Sequence, residues 1–184
     1  MLCVIGKLLF KLSSLCSRFI NKYNISQMAA HGSNVKIEGK CNIASKNIYC
    51  GNNVFIGPNA CFISSKAKIY IGNNVMMGPN VMIVTGNHRT DVVGKYMIDV
   101  HEKTADDDRD VVIEDDVWIG MGAMILKGVT IGKGSVIGAG AIVSKSVPPY
   151  SVAYSYSKLV VKERFTPEEI REHERILEEA VSEK

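Results

Sequence analysis

His88, in the run Thr-Gly-Asn-His-Arg-Thr, is the residue best suited by type to do chemistry. A neutral imidazole takes a proton from a hydroxyl that is barely ionised at pH 7. As imidazolium it returns a proton to a leaving group. A loop histidine taken alone reads as a solvated side chain, but the surroundings of His88 are unusual. From Val84 to Asp110 the chain loses all regular patterning. A long loop without structure of its own is uncommon in a compact domain and is usually functional or disordered. A histidine base also needs a group on its other ring nitrogen. Asp91 and Asp99 are both candidates, and the sequence does not choose between them.

The other chemically distinctive residues point elsewhere. Trp118 is the only tryptophan and reads first as a large side chain at a surface groove. The five cysteines, Cys3, Cys16, Cys41, Cys50 and Cys61, are odd in number and form no CxxC. Neither a disulfide frame nor a thiolate zinc site is favoured, and no metal is expected. Cys41, Cys50 and Cys61 fall where small core residues belong, which predicts reduced, buried thiols in a cytoplasmic protein.

A period of six positions these residues. Ile113, Ile119, Ile125, Ile131, Ile137 and Val143 recur every six residues. Four residues after each stand Val117, Ala123, Val129, Ser135, Ala141 and Val147. A helical stripe recurs at three to four residues, and a strand alternates at two. Six means a short strand and a corner, repeated, which is the hexapeptide form of a parallel β-helix. Upstream the period is ragged. Ile37 and Ile43 share one phase, Cys50, Ile56 and Phe62 a second, and Ile71, Met77 and Ile83 a third. Asn52, Asn53, Asn59, Asn73, Asn74 and Asn80, with nearby glycines and prolines, supply turn chemistry at the corners.

Helical patterns flank the repeats. Residues 2–20 are apolar at Leu2, Ile5, Leu8, Leu9, Leu12, Leu15 and Phe19, interrupted by Lys7 and Lys11. The run is too short and too charged to span a bilayer. It either lids the open end of the solenoid or lies as a basic amphipathic helix in weak contact with a membrane surface. Near the C-terminus, Thr166, Pro167 and Glu169 form a capping box. A helix of about four turns follows, apolar at Ile170, Ile176, Leu177, Ala180 and Val181. The net charge of +3 does not suggest nucleic acid. It is uneven, however, with Lys7, Lys11, Arg18 and Lys22 at one end and seven glutamates from Thr166 onward at the other. The expected organisation is an N-terminal helical cap (1–25), a repeat domain (35–155) with a loop excursion (85–110), and a C-terminal helix (166–182).

The six-period, the His-bearing loop and the stretch VWIGMGAMILKGVTIGKGSVIGAGAIVSKSVPP together resemble the hexapeptide-repeat acyltransferases. Within that group the chain is similar to galactoside and maltose O-acetyltransferases and to O-acetyltransferases of polysaccharide biosynthesis. The resemblance covers roughly residues 35–165. It implies a mainly β, left-handed parallel β-helix with triangular coils. It also implies a homotrimer with active sites between subunits, and acetyl-CoA as acyl donor. By the same resemblance His88 is the catalytic base and Trp118 a wall of the CoA channel. Gly120 and Met121 offer backbone groups to pantetheine, and Gly122, Gly138, Ala139 and Gly140 let a thin cofactor lie close. Lys127 and Lys145 are one coil apart, and stacked lysines suit the CoA phosphates. Ser144-Lys145 matches the family's Thr-Lys before a double proline. The family's next signature is replaced here by Ser155-Tyr156-Ser157-Lys158-Leu159. Its usual basic residue falls on Leu159, leaving Lys158 or Lys162 to substitute. Asn80 and Asn87 are candidates for binding acceptor hydroxyls.

The leading expectation is acetyl-CoA-dependent O-acetylation of a saccharide hydroxyl. N-acylation of an amino sugar and O-acetylation of an antibiotic remain open, since both would use the same histidine and cofactor. A γ-type carbonic anhydrase needs three zinc-binding histidines, but His31 and His173 lie outside the repeats, leaving His88 and His101. A non-catalytic hexapeptide scaffold is the remaining alternative, favoured only by the altered 155–159 run.

Overall fold

The structure, a computed structural model, describes residues 2–155 and 165–182. Helix α1 spans Leu2–Ser26 and helix α2 spans Pro167–Ser182. Between them the chain makes short strands that assemble into three parallel sheets, visited in turn. The first face holds Ala30–His31, Ile48–Cys50, Ile69–Ile71, Val111–Ile113 and Thr130–Ile131. The second holds Val35–Ile37, Val54–Ile56, Met76–Met77, Trp118–Ile119, Val136–Ile137 and Val152–Ala153. The third holds Asn42–Ile43, Cys61–Ile63, Met82–Val84, Met124–Ile125 and Ile142–Val143. The hexapeptide solenoid expected from the six-period is therefore the fold.

Each rung stacks an inward side chain directly above its counterpart. Ile37, Ile56, Met77, Ile119 and Ile137 stack on the second face. Ile43, Phe62, Ile83, Ile125 and Val143 stack on the third, and Cys50, Ile71, Ile113 and Ile131 on the first. Ile56, Met77, Ile83, Ile119, Ile125, Ile131 and Ile137 are fully enclosed. Burying such a side chain contributes roughly 1.5–3 kcal/mol. The second apolar set, Val117, Ala123, Val129 and Ala141, fills the corners from inside. Ser135, in that set, is buried with its hydroxyl donating to the Pro148 carbonyl and accepting from the Ser151 amide.

The three phases of the ragged half have a single cause. Regular coils are 18 residues long, as between Val112 and Thr130. Asn42 pairs with Cys61, 19 residues on, and Tyr49 with Tyr70, 21 residues on. The extra residues sit at the corner between the third and first faces. One coil carries the Ser45–Asn47 3-10 turn there. The next carries residues 64–68, held by Ser64 donating to the Ala67 carbonyl and by Asn47 donating to Ser65. The 85–110 excursion leaves from the same corner. Val111 then rejoins the ladder on Ile69, so the next coil proceeds in register.

The corner between the first and second faces is built from asparagine. Asn34, Asn53 and Asn74 all have positive φ. Their side-chain amides run up the edge, Asn34 Nδ2 donating to Asn53 at 2.7 Å and Asn53 Nδ2 to Asn74 at 2.8 Å. Beside them Asn52 donates to Asn73, and Asn73 to Asp115. The turn chemistry read from the sequence is thus also an inter-coil hydrogen-bond ladder.

The cysteines differ from expectation. Cys50 is inward and buried, and burial pushes its thiol up to about 11. Cys61 is not a core residue. It stands in the outward row between Asn42 and Met82, and Phe62 takes the inward position. Cys41 is half-buried at a corner, its thiol donating to the Glu38 carbonyl. The reason is register, because inward and outward positions alternate along a strand and Cys61 stands next to inward Phe62.

Two compact units emerge. One runs from the N-terminus to Gly86 and resumes at Arg109, carrying α1 and the solenoid. The other contains Asn87–Asp108 and the C-terminal segment with α2. In the first unit α1 meets the opening coil through Asn21, whose Nδ2 donates to the carbonyls of Ile37 and Gly39. Among the described residues no helix is long and apolar enough to cross a membrane.

The asparagine ladder gives a stability test. Asn53→Ala loses both ladder bonds and keeps a Cβ in left-handed backbone without the side-chain amide that makes asparagine tolerant of it, a strain of roughly 1–2 kcal/mol. Asn53→Gly loses the bonds but not the backbone freedom. Urea unfolding should rank the wild type first, the glycine variant second and the alanine variant last. An alanine variant at least as stable as the glycine one would contradict the reading.

Candidate active site

Trp118 lies on the outside of the second face. Its rung pairs with Met76 below and Val136 above, and Val152 continues the row. Outward positions of a solenoid normally carry polar residues. Here Met76 and Trp118 are each 49% exposed and Val152 is 68% exposed. Inward Ile119, the next residue, pins the rung, so the indole is held on a rigid strand rather than a loop. Met121 follows at the corner, exposed. The solenoid thus presents an apolar row with its one tryptophan in the middle.

The glycines near Trp118 divide into two kinds. A Cβ at Gly120 would lie 2.6 Å from the Ala139 amide nitrogen, so glycine is required by the neighbouring coil. Its N–H donates to the Ile137 carbonyl at 2.7 Å, so it is committed to the coil ladder. Gly140 is different. It has φ +69, and nothing lies within 4 Å of a Cβ placed there. Ala139, beside it, is exposed. This corner is open, and its small residues leave room for a ligand along the backbone.

The lysine geometry is partly as expected. Lys127 and Lys145 follow the third-face strands Met124–Ile125 and Ile142–Val143, whose residues pair one coil apart. The two corners are unequal, however. Six residues separate Ile125 from Ile131, but only four separate Val143 from Val147, the bridge partner of Ile131. The final corner is therefore cut short, with Ser144, Lys145 and Ser146 exposed on it. Ser146 accepts from the Thr130 amide at 3.0 Å, which ties this corner down. Lys133 is also exposed, its amide donating to Glu114. In the altered run, the Ser155 hydroxyl accepts from the Ile142 amide at 3.0 Å, extending the coil ladder with a side chain. Lys158 and Lys162 lie outside the described residues.

Within the second unit, the excursion is a closed loop rather than a slack one. The Asn87 amide donates to the Asp107 carbonyl at 3.0 Å, drawing its two ends together. Asp107 is buried and its carboxylate accepts from the amide and hydroxyl of Thr104. Lys103 pairs with Asp108 at 2.9 Å. His88 stands next to this neck and is exposed. Its imidazole has no hydrogen-bond partner among the described residues. Asp91 is engaged elsewhere. Arg89 grips it with two bonds of 3.0 Å, and that guanidinium holds the carboxyl below the usual range. Asp99 ends the Met97–Asp99 3-10 turn and is exposed. Neither carboxylate orients the imidazole. Asn87 is exposed, and its side-chain Nδ2 donates to the His88 carbonyl at 3.5 Å. Asn80, in the first unit, is an exposed corner residue with φ +58.

One feature of this unit escaped the sequence reading. The Gly94 amide donates to His173 Nδ1 on α2 at 3.1 Å. Gly94 has φ +80, and a Cβ there would come within 2.8 Å of Ile176. Phe165 lies against the His173 ring at 5.3 Å. Loop and helix are joined by a glycine contact that has no periodic signal. The capping box itself is as expected, with Thr166 and Glu169 exchanging bonds of 2.8 and 3.3 Å. The Thr166 amide lowers the Glu169 carboxyl below its ordinary range.

Among the described residues no group of three or more His, Cys, Asp or Glu is placed to hold a metal ion. The residues that could hold a thin ligand with an apolar arm and anionic groups are Trp118, Met121, Ala139 and Gly140 for the arm. Ser144 and Lys145 suit the anionic end.

Comparison with known proteins agrees with this architecture. The family described as "Bacterial transferase hexapeptide (six repeats)" matches residues 110–145. No curated protein sequence matches the chain. Among solved structures, a hexapeptide-repeat acetyltransferase from Vibrio cholerae is 27% identical over 88% of this chain and 89% of its own, with a TM-score of 0.64. A maltose O-acetyltransferase from Clostridium difficile 630 is 29% identical over 80% of this chain and 83% of its own, with a TM-score of 0.64. A galactoside acetyltransferase solved with coenzyme A is 30% identical over 77% of this chain and 68% of its own, with a TM-score of 0.60. With the coil register, the repeat and these relatives in agreement, the chain belongs to the hexapeptide-repeat acetyltransferases.

Proposed function

We propose that the protein transfers an acetyl group from acetyl-CoA to a saccharide hydroxyl, with His88 as general base. The observation that carries this reading is the exposed Trp118 on a rigid rung, with the open Ala139–Gly140 corner on the same solenoid. Acetyl-CoA supplies an acyl group already activated as a thioester. Trp118 and Met121 offer apolar surface to its thin arm, and Lys145 offers a cation to its phosphates. Gly120 enters by its carbonyl, since its N–H is committed to the coil ladder. Lys158 and Lys162 are assigned to the adenosine end on charge. Asn80 and Asn87 are assigned to acceptor hydroxyls on hydrogen-bonding capacity.

The proton inventory falls to His88. Its imidazole takes the proton of the acceptor hydroxyl as the C–O bond forms. As the C–S bond breaks, the imidazolium gives that proton to the departing sulfur. Atoms and charge balance without a further co-reactant. The imidazole needs an orienting group, and its own loop offers Asp91 already paired to Arg89. We assign the completion of this site to a neighbouring copy in a homotrimer. The exposed apolar row Met76, Trp118 and Val152 supports such an assembly, since rows of this kind mark interaction surfaces. The machinery is assigned to the solenoid domain, residues 35–155, including its loop. Five free cysteines fit the reducing cytoplasm. Polysaccharide biosynthesis is the setting that a saccharide acceptor implies.

Two experiments test the reading. Acetyl-CoA at about a hundredfold excess over Kd should stabilise the protein by about 2.7 kcal/mol, on the order of 5–10 °C in Tm for a chain of this size. No shift at millimolar acetyl-CoA would instead favour a non-catalytic scaffold. His88→Ala should keep that thermal shift and lose roughly 10²–10⁴-fold in turnover. Turnover is measured as thiol release across a panel of sugars, amino sugars and chloramphenicol-like alcohols, which also identifies the acceptor. Undiminished turnover in the variant would remove His88 as the base.

A further inference from the structure

Helix α1 has three distinct sides, and among the described residues only one meets the solenoid. The side that meets the solenoid is mostly small and polar, with Ile25 packed on the core at its end. Ser17 and Asn21 are buried there, and Asn21 donates to the Ile37 and Gly39 carbonyls at 3.1 and 2.8 Å. The apolar row faces away from that contact. Ile5, Leu8, Leu12, Leu15, Phe19 and Tyr23 follow at intervals of three and four, the spacing of a single helix side. Leu8 is 67% exposed, Phe19 66% and Tyr23 63%. An amphipathic helix of a globular domain normally packs its apolar side on the core. This one has done the reverse.

The third side carries the charge. Lys7, Lys11, Arg18 and Lys22 are spaced by four, seven and four residues and share one side. The helix contains no Asp or Glu. All four cations are exposed, and none forms an ion pair among the described residues. A basic stripe beside an exposed apolar row is the pattern of a helix lying in a lipid interface. The long lysine and arginine stems let the charged heads reach the phosphates while the apolar row enters the acyl boundary. The helix is about 37 Å long at 1.5 Å per residue, yet it is not apolar enough to cross a membrane. It can therefore lie on a bilayer but not span it.

We propose that α1 docks the protein on an anionic membrane surface, with the Ile5-to-Tyr23 row buried at the headgroup boundary and the four cations on lipid phosphates. A second copy of α1 is the competing occupant. It would bring four more cations and no carboxylate to the contact, so charge complementarity favours the lipid. The inference does not depend on the acyl-transfer reading.

The test uses the full chain and sedimentation with vesicles of phosphatidylcholine alone or with about 30% phosphatidylglycerol, in about 0.1 M salt. The parent protein should bind the anionic vesicles on the order of a hundredfold more tightly than the neutral ones. K7E/K11E/R18E/K22E should lose that preference. L8S/L12S/F19S should lose binding to both vesicles. All these side chains are exposed, so circular dichroism and the solenoid's melting should be unchanged. Equal binding to both vesicle types, or none, overturns the proposal. If binding is absent and the triple-serine variant has a lower molar mass than the parent, the occupant of the row is a second copy.

Discussion

An inward side chain must stand on an inward side chain of the next coil. Nearly every feature of this protein depends on that constraint. A parallel solenoid has no hairpin turn to set its register, so an extra residue within a strand would turn its core residues outward, whereas a corner can absorb one. The chain meets the constraint by confining irregularity to one corner. The Ser45–Asn47 turn, residues 64–68 and the 85–110 excursion all leave from the junction of the third and first faces. Each returns with its next strand in register. The other corners are held to fixed lengths by positive-φ asparagine and glycine.

The same constraint explains where chemistry can be placed. Residues inside the solenoid are committed to stacking, so functional groups must be outward on a rung or in an excursion. Trp118, proposed as a wall of the cofactor site, takes the first option, fixed by buried Ile119 beside it. His88, the proposed base, takes the second, in a loop closed by the Asn87–Asp107 bond and the Asp107–Thr104 contacts. A rigid rung and a tied loop are two ways of lowering the conformational freedom that binding or catalysis would otherwise have to remove.

The solenoid was legible in the sequence because its signal is local and periodic. The six-period identified the inward stack from Ile113 to Val143 residue by residue, and the three upstream phases were real coils. The asparagine corners were legible as turns but not as a ladder, since the partner of Asn53 is another asparagine 21 residues away. Cys61 was misplaced because cysteine suits a core, while register gave that place to Phe62. Asp91 looked free in sequence, but its bond to Arg89 is two residues long and has no pattern to announce it. The Gly94–His173 contact joins residues 79 apart and was invisible for the same reason. The helical spacing of α1 was plain, but which of its sides meets the solenoid depends on Asn21 finding two carbonyls.

The central claim is that the cofactor lies along the outer surface that carries Trp118. The protein's single tryptophan makes this directly measurable. Titration with coenzyme A, followed by intrinsic tryptophan emission, should give a saturable change in intensity or wavelength. Its midpoint should match the Kd obtained by calorimetry. Calorimetric binding with no change in Trp118 emission would place the cofactor elsewhere and contradict the account.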